Sequence, residues 1–216
     1  MNRTEIVKRI ESTGIVPIIR APTTELAAAA ARAILAAGID VLEITMSVPN
    51  ATDLLRALRT EVGERVVLGA GTVLNAQAAE ACIDAGAEFI VAPGFDADTV
   101  RATHARGKAC LPGALTPTEV ITAWSAGADM VKVFPCSAVG GVSYLKALKA
   151  PLPHIKMLPT GGVDASTAAD FIKAGASALG VGASVIKLDA LVAGNPDLVT
   201  ERCRQLGFAV KAARGL

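Results

Sequence analysis

No two cysteines of this 216-residue chain form a CxxC pair, its lysines and arginines do not cluster, and no apolar run could cross a bilayer. Each absence excludes something. Cys82, Cys110, Cys136 and Cys203 lack metal-finger spacing, and a chain of this length needs no disulfide framework. They read as reduced thiols of a cytoplasmic protein. A net charge of +1 without a basic patch argues against nucleic acid as a partner. The longest apolar stretch, Leu26 to Leu35, is alanine-rich, interrupted by Arg32 and too short for a membrane span. The opening Met-Asn-Arg-Thr-Glu lacks the apolar core and cleavage site of a signal peptide.

What is present is hydrophobic: 52% of the residues, with a mean hydropathy of +0.47, enough for one domain over 1–216 with a large core. A period-3.6 pattern from Asn2 to about Thr13 predicts an opening helix with Ile6, Val7 and Ile10 on one face. Strand-like and helix-like segments then alternate to the end. The strand cores are Ile15–Ile19, Val41–Ile44, Val66–Leu68, Phe89–Val91, Ala109–Leu111, Met130–Phe134, Ile155–Leu158 and Ala178–Val181. Helices are expected from near Thr24, Asn50, Asn75, Asp96, Thr116, Val142 and Asp164, and a last one from about Asp197 to Ala213. Thr116-Pro117-Thr118-Glu119 is a capping box with proline at the first helical position, and Asn75 and Asp164 are expected N-caps.

Gly38, Gly86, Gly127 and Gly175 end helices just before strands, at spacings of 48, 41 and 48 residues. Ala-Gly-Ile-Asp-Val-Leu-Glu-Ile, Ala-Gly-Ala-Glu-Phe-Ile-Val-Ala, Ala-Gly-Ala-Asp-Met-Val-Lys-Val and Ala-Gly-Ala-Ser-Ala-Leu-Gly-Val align around them without gaps. Each interval holds two strand-helix units. Eight such units predict an α/β fold, a single closed (β/α)8 TIM barrel with an extra N-terminal helix. An open doubly wound sheet is the alternative, but the first strand is followed by Arg20-Ala21-Pro22-Thr23 rather than a GxGxxG turn.

Barrel sites lie at the C-terminal strand ends. Asp40, Glu88, Lys108, Asp129, His154 and Lys156 fall at the opposite end, and His104 falls within a helix. Histidine catalysis and a multi-histidine metal site are therefore not expected. The upper ends carry Arg20, Glu43, Thr45, Thr72, Lys132 and Thr160. Glu43 and Lys132 each stand five residues after their repeat glycine, where the other copies have Val91 and Gly180. Equal slots on strands of one parity put carboxylate and amine in one layer of an apolar interior. A buried salt bridge would gain little there. A desolvated amine is a nucleophile toward carbonyls, and a carboxylate beside it can move protons. Thr160-Gly161-Gly162-Val163 and Gly180-Val181-Gly182-Ala183-Ser184, with a short helix expected near Ser184, have the glycines and position of a phosphate site. Cys136 reads as a structural thiol or a pocket-wall residue rather than a nucleophile, and Trp124 and Tyr144 as helix packing.

Leu42-Glu-Ile-Thr-Met-Ser-Val-Pro-Asn50, Gly69-Ala-Gly-Thr-Val73, Val91-Ala-Pro-Gly-Phe95, Pro112-Gly-Ala-Leu-Thr-Pro117, Val131-Lys-Val-Phe-Pro135 and Pro159-Thr-Gly-Gly-Val163 occur in this order. From about Gly14 to Ser184 the chain resembles the 2-keto-3-deoxy-6-phosphogluconate (KDPG) / 4-hydroxy-2-oxoglutarate (KHG) aldolases, the phosphogalactonate-type enzymes included. The resemblance implies a class I aldolase, usually trimeric, with Lys132 as Schiff-base amine, Glu43 as proton shuttle and neither metal nor cofactor. It further implies that Gly71 and Thr72 help hold the pyruvate moiety of a phosphorylated sugar acid. By the same resemblance Pro93 and Phe134 line the pocket, and Gly161, Gly162, Gly182, Ala183 and Ser184 hold phosphate. Thr45 and Thr160 belong to the same binding surface. Some members carry an arginine four residues after the glutamate; here Ser47 stands there, and Arg20 is the cation placed to bind the substrate carboxylate. A phosphosugar isomerase or epimerase would need two acid-base groups on opposite substrate faces. A non-catalytic phosphate-ligand barrel would have no reason to bury Lys132 beside Glu43.

Overall fold

Gly38, Gly86, Gly127 and Gly175 take φ of 83°, 104°, 98° and 101°, the left-handed conformation that turns each helix end back into a strand. The computed structural model describes residues 1–215. Its strands are β1 (Ile15–Ile19), β2 (Val41–Thr45), β3 (Val67–Gly71), β4 (Phe89–Val91), β5 (Ala109–Leu111), β6 (Gly113–Ala114), β7 (Val131–Val133), β8 (Met157–Pro159) and β9 (Leu179–Val181). The helices are α1 (Arg3–Thr13), α2 (Thr24–Ala36), α3 (Ala51–Val62), α4 (Ala76–Asp84), α5 (Ala97–Ala105), α6 (Pro117–Ser125), α7 (Val142–Lys149), α8 (Ala168–Lys173), α9 (Leu188–Val192) and α10 (Pro196–Ala213).

All the strand pairs are parallel. They form a curled six-stranded sheet, β5-β4-β3-β2-β1-β9, and a three-stranded sheet, β6-β7-β8. The fifth expected strand is found at its expected bounds as β5, and a further short strand, β6, follows beyond Pro112, whose nitrogen has no hydrogen to give a ladder. Its carbonyl still accepts from Lys132 N at 2.9 Å. A parallel bridge between Thr160 and Gly180 links β8 to β9.

Two expected helix starts are corrected. Asp164 accepts from Ser166 and Thr167 N–H groups within a turn, and α8 begins only at Ala168. The local side-chain bonds satisfy those donors without a helix. No helix begins at Ser184: residues 182–186 make one turn, with Val185 and Ile186 N–H both bonded to Gly182 O, and the five-residue α9 follows at Leu188. The capping box at Thr116–Glu119 and the Asn75 cap are formed.

Strand residues alternate between two cores. Ile15, Leu42, Ile44, Leu68, Ile90, Val131 and Leu179 face the surrounding helices. Val16, Val41, Val67, Phe89, Leu111, Met130 and Leu158 face inward, and Ile6, Val7 and Ile10 of α1 join them. Helix α1 therefore plugs the N-terminal end of the strands. The polar residues at that end hold it there: Arg3 meets Asp129 at 2.6 Å, Arg9 meets Asp40, and Glu11 meets Lys156 at 2.9 Å. His104 also binds Asp129, at 3.0 Å, so this histidine is spent on structure. No described helix is long and apolar enough to cross a membrane.

Candidate active site

Glu43 and Lys132 are the only charged residues among those described that are buried as whole residues, at 0% and 6% exposure. Both share the inward parity of their strands, Glu43 with Val41 and Lys132 with Met130. Neither carboxylate oxygen of Glu43 has a hydrogen-bond partner, so the pair is not a buried structural salt bridge. Burial pushes the Glu43 carboxyl above the usual carboxylate range, while the charges of Lys132 and Arg20 pull it back. A carboxyl whose pKa is raised by burial holds its proton more readily and can act as a proton donor and acceptor.

Glycines make this space. Glu43 pairs in register with Gly69, and a Cβ there would sit 2.2 Å from the Phe89 ring. The Phe89 ring thus fills the space that Gly69 leaves beside the strand of the carboxylate. A Cβ at Gly71 would come within 1.7 Å of Glu43 Oε1. Lys132 pairs with Gly113, where a Cβ would lie 2.2 Å from Pro93 O, so the glycine lets the loop after β4 approach the lysine strand. The Lys132 Nζ stands 5.2 Å from the centre of the Phe134 ring.

A pocket of about 320 Å³ opens over Lys132 at the C-terminal strand ends. Of the residues expected there, Arg20, Thr72, Pro93, Lys132 and Phe134 line one part. Thr160, Gly161, Gly162, Gly182, Ala183 and Ser184 line the other. Glu43 and Gly71 are buried and do not line it. Thr45 is buried to the side, donating to Ile19 O at 3.0 Å, and Ser47 stands on the exposed rim bonded to Arg20. Gly161 and Gly162 have φ of 102° and 73°, and the Ser184 hydroxyl donates to Val163 O at 2.6 Å, fastening the two glycine loops together.

Sequence reasoning missed Ile18 and Ser137. Ile18 lines the pocket and has the inward parity of Val16, a signal open to inspection. Ser137 packs against the Gly161-Gly162 turn, where a Cβ on Gly162 would meet its own Cβ at 2.8 Å. It sits in the turn after β7, and only its position above a strand end marked it. Cys136 is a structural thiol of the outer core and does not line the pocket; burial pushes it up to about 11. His104, Lys108 and Lys156 stay at the far end, in ion pairs. Among the described residues no three His, Cys, Asp or Glu side chains come together as a metal cluster.

A parallel α/β sheet with one buried amine, one buried carboxylic acid and two glycine loops at the strand ends can be compared with known proteins. The chain is 36% identical over 207 residues to the KHG/KDPG aldolase of Escherichia coli K12, covering 95% of each chain. It is 35% identical over 174 residues to that organism's 2-dehydro-3-deoxy-6-phosphogalactonate aldolase, covering 80% of this chain and 84% of the other. The KDPG aldolase of Legionella pneumophila, solved with pyruvate captured as a covalent carbinolamine, superposes with a TM-score of 0.83 at 27% identity over 93% and 97% of the two chains. The family model for KDPG and KHG aldolases matches residues 6–202. A fold, a buried amine-acid pair and a match over nearly the whole chain agree, and the chain belongs to the KDPG and KHG aldolase family of lyases.

Proposed function

We propose that this protein is a class I aldolase that cleaves 2-keto-3-deoxy-6-phosphogluconate reversibly to pyruvate and glyceraldehyde 3-phosphate, with Lys132 as the Schiff-base amine. The observation that carries this reading is the burial of Lys132 beside an acid with no bonded partner. The Lys132 amine adds to the C2 ketone, and loss of water leaves a protonated imine that draws electrons. Removal of the C4 hydroxyl proton lets the C3–C4 bond break; its electron pair enters the imine as an enamine, and the aldehyde leaves. Protonation at C3 and hydrolysis then free pyruvate and the lysine. Glu43 takes and returns the protons of carbinolamine formation, dehydration and cleavage, through a water or the substrate's own oxygens.

The remaining residues divide between the substrate's two ends. Arg20, with Thr72 and Gly71 near it, receives the carboxylate; the loops at 160–162 and 182–184, lined by backbone N–H groups, receive the phosphate. Pro93 and Phe134 wall the reacting carbons. The same chemistry on the phosphogalactonate epimer or on 4-hydroxy-2-oxoglutarate is the second reading, because relatives near 35% identity bear those names. We read the two sheets, joined at Pro112 and at the Thr160–Gly180 bridge, as one closed (β/α)8 barrel with α1 as an added plug. A cytoplasmic homotrimer is the assembly we assign, testable by light scattering. The deciding experiment for the chemistry is borohydride reduction with pyruvate followed by peptide mass mapping. One adduct, on Lys132, is expected. Labelling at Lys146 or Lys156, or none, overturns the assignment.

A further inference from the structure

Arg20 is held by side-chain hydroxyls, whereas eight other arginines meet carboxylates and Arg202 and Arg214 meet backbone carbonyls. Arg3, Arg9, Arg32, Arg56, Arg59, Arg101, Arg106 and Arg204 each meet a carboxylate. Arg20 meets only hydroxyls: Nη1 donates to Ser47 Oγ at 2.6 Å and Nη2 to Thr72 Oγ1 at 3.2 Å. The hydroxyls fix its direction without neutralising it.

Their protons can be ordered. The buried Thr45 hydroxyl gives its hydrogen to Ile19 O at 3.0 Å, an atom that can only accept. In the 2.9 Å contact between Thr45 Oγ1 and Ser47 Oγ, Ser47 must then be the donor. The Ser47 lone pairs are left for Arg20, which can only donate. A one-way chain results, from Arg20 through Ser47 and Thr45 to Ile19 O, the carbonyl of the peptide bond that Arg20 itself follows. The arginine is tied back to its own strand end by two hydroxyls from β2 and the turn after it.

We propose that Thr45 and Ser47 are positioning residues that hold the Arg20 guanidinium over the pocket, charged and uncompensated, for a 2-oxo acid carboxylate. The proposal rests on the aldolase reading above. Without the chain, Arg20 keeps its charge but loses its aim, since an exposed arginine side chain samples many rotamers. A purely structural role for Thr45 would disturb the neighbouring strands and with them every reaction of Lys132. A positioning role disturbs only ligands with a carboxylate.

The test compares two ketones of equal carbon number, pyruvate and the neutral hydroxyacetone, in borohydride trapping on Lys132. The concentration giving half-maximal labelling is read for each. In Ser47→Ala and Thr45→Val the ratio of the pyruvate value to the hydroxyacetone value should rise about tenfold, the scale of one hydrogen bond to a charged group. Ser47→Thr and Thr45→Ser, which keep the hydroxyls, should restore the ratio. In an Arg20→Ala background Ser47→Ala should add nothing further, because the effect passes through the arginine. An unchanged ratio, or additive effects of Ser47→Ala and Arg20→Ala, overturns the proposal. Failure of the unsubstituted protein to be labelled by either ketone overturns the aldolase reading itself, and the proposal with it.

Discussion

Gly71 leaves room for Glu43: the hydrogen it carries in place of a side chain faces the carboxylate, and a Cβ would stand 1.7 Å from Oε1. The acid is buried, so a Cβ there can only displace it or the residues packed around it. Gly71→Ala should swing the carboxyl away from the reacting atoms and lower turnover by about 10² or more, the scale of losing a general acid-base group. Overpacking should cost about 1–3 kcal/mol of stability. Adding Glu43→Ala should return the stability but not the turnover, and chemical denaturation of the single and double variants checks this.

Glu43→Gln keeps the shape and removes the exchangeable proton, so turnover should fall by about 10²–10⁴ while pyruvate still labels Lys132 slowly. An unchanged turnover number would show that solvent moves the protons.

The same substitution should alter stability with pH. Burial raises the folded pKa of Glu43 above its unfolded value. Its contribution to stability is then full below the ordinary carboxylate range and declines as pH rises toward the folded value. Glu43→Gln should therefore match the parent in acid and exceed it at neutral pH. Urea midpoints measured across that interval decide it, and a parent more stable than the variant at neutral pH would count against the desolvation account.

The two ends of the pocket should separate in kcat/KM. Arg20→Ala should weaken phosphorylated and unphosphorylated keto acids alike, by roughly ten- to a hundredfold, because both carry the carboxylate. Gly182 has open space where a Cβ would point, its nearest neighbour being Ile18 O at 3.9 Å. Gly182→Val should thus fold, yet crowd the loop and impair phosphorylated substrates far more than 4-hydroxy-2-oxoglutarate. Equal losses on both substrate types in both variants would remove the two-ended assignment.

Ile10 of α1 is fully buried among the inward strand residues. Ile10→Ala should cost about 2–5 kcal/mol by opening a cavity there. Far from the pocket, it should leave KM close to that of the parent at temperatures where the protein stays folded.

The buried pair was legible because the repeat glycines set a common register. Counting five residues from Gly38 and from Gly127 brought Glu43 and Lys132 to one interior, which burial bears out. The helix at Asp164 was misplaced because an aspartate can cap a turn as readily as a helix, and nothing local distinguishes Ser166 and Thr167 as its partners. The fifth strand ended at Leu111 as expected, but the two-residue β6 beyond Pro112 is too short to carry a periodic signal. The chain through Arg20, Ser47 and Thr45 was not legible at all. It depends on β1 and β2 lying side by side with Ile18 opposite Glu43, a relation between strands that no single segment encodes.

Helix α1 also constrains the order of assembly. Its anchors are far along the chain: Arg3 and Asp129 are 126 residues apart, and Lys156 lies 145 beyond Glu11. On a ribosome the plug therefore exists long before its socket, with Ile6 and Ile10 exposed to whatever binds apolar helices. Docking of the plug is a late event governed by long-range contacts, which are the slow ones to form. A nascent chain stalled before Met157 would carry the buried lysine's strand yet lack the strand beside it, and so could not form the pocket.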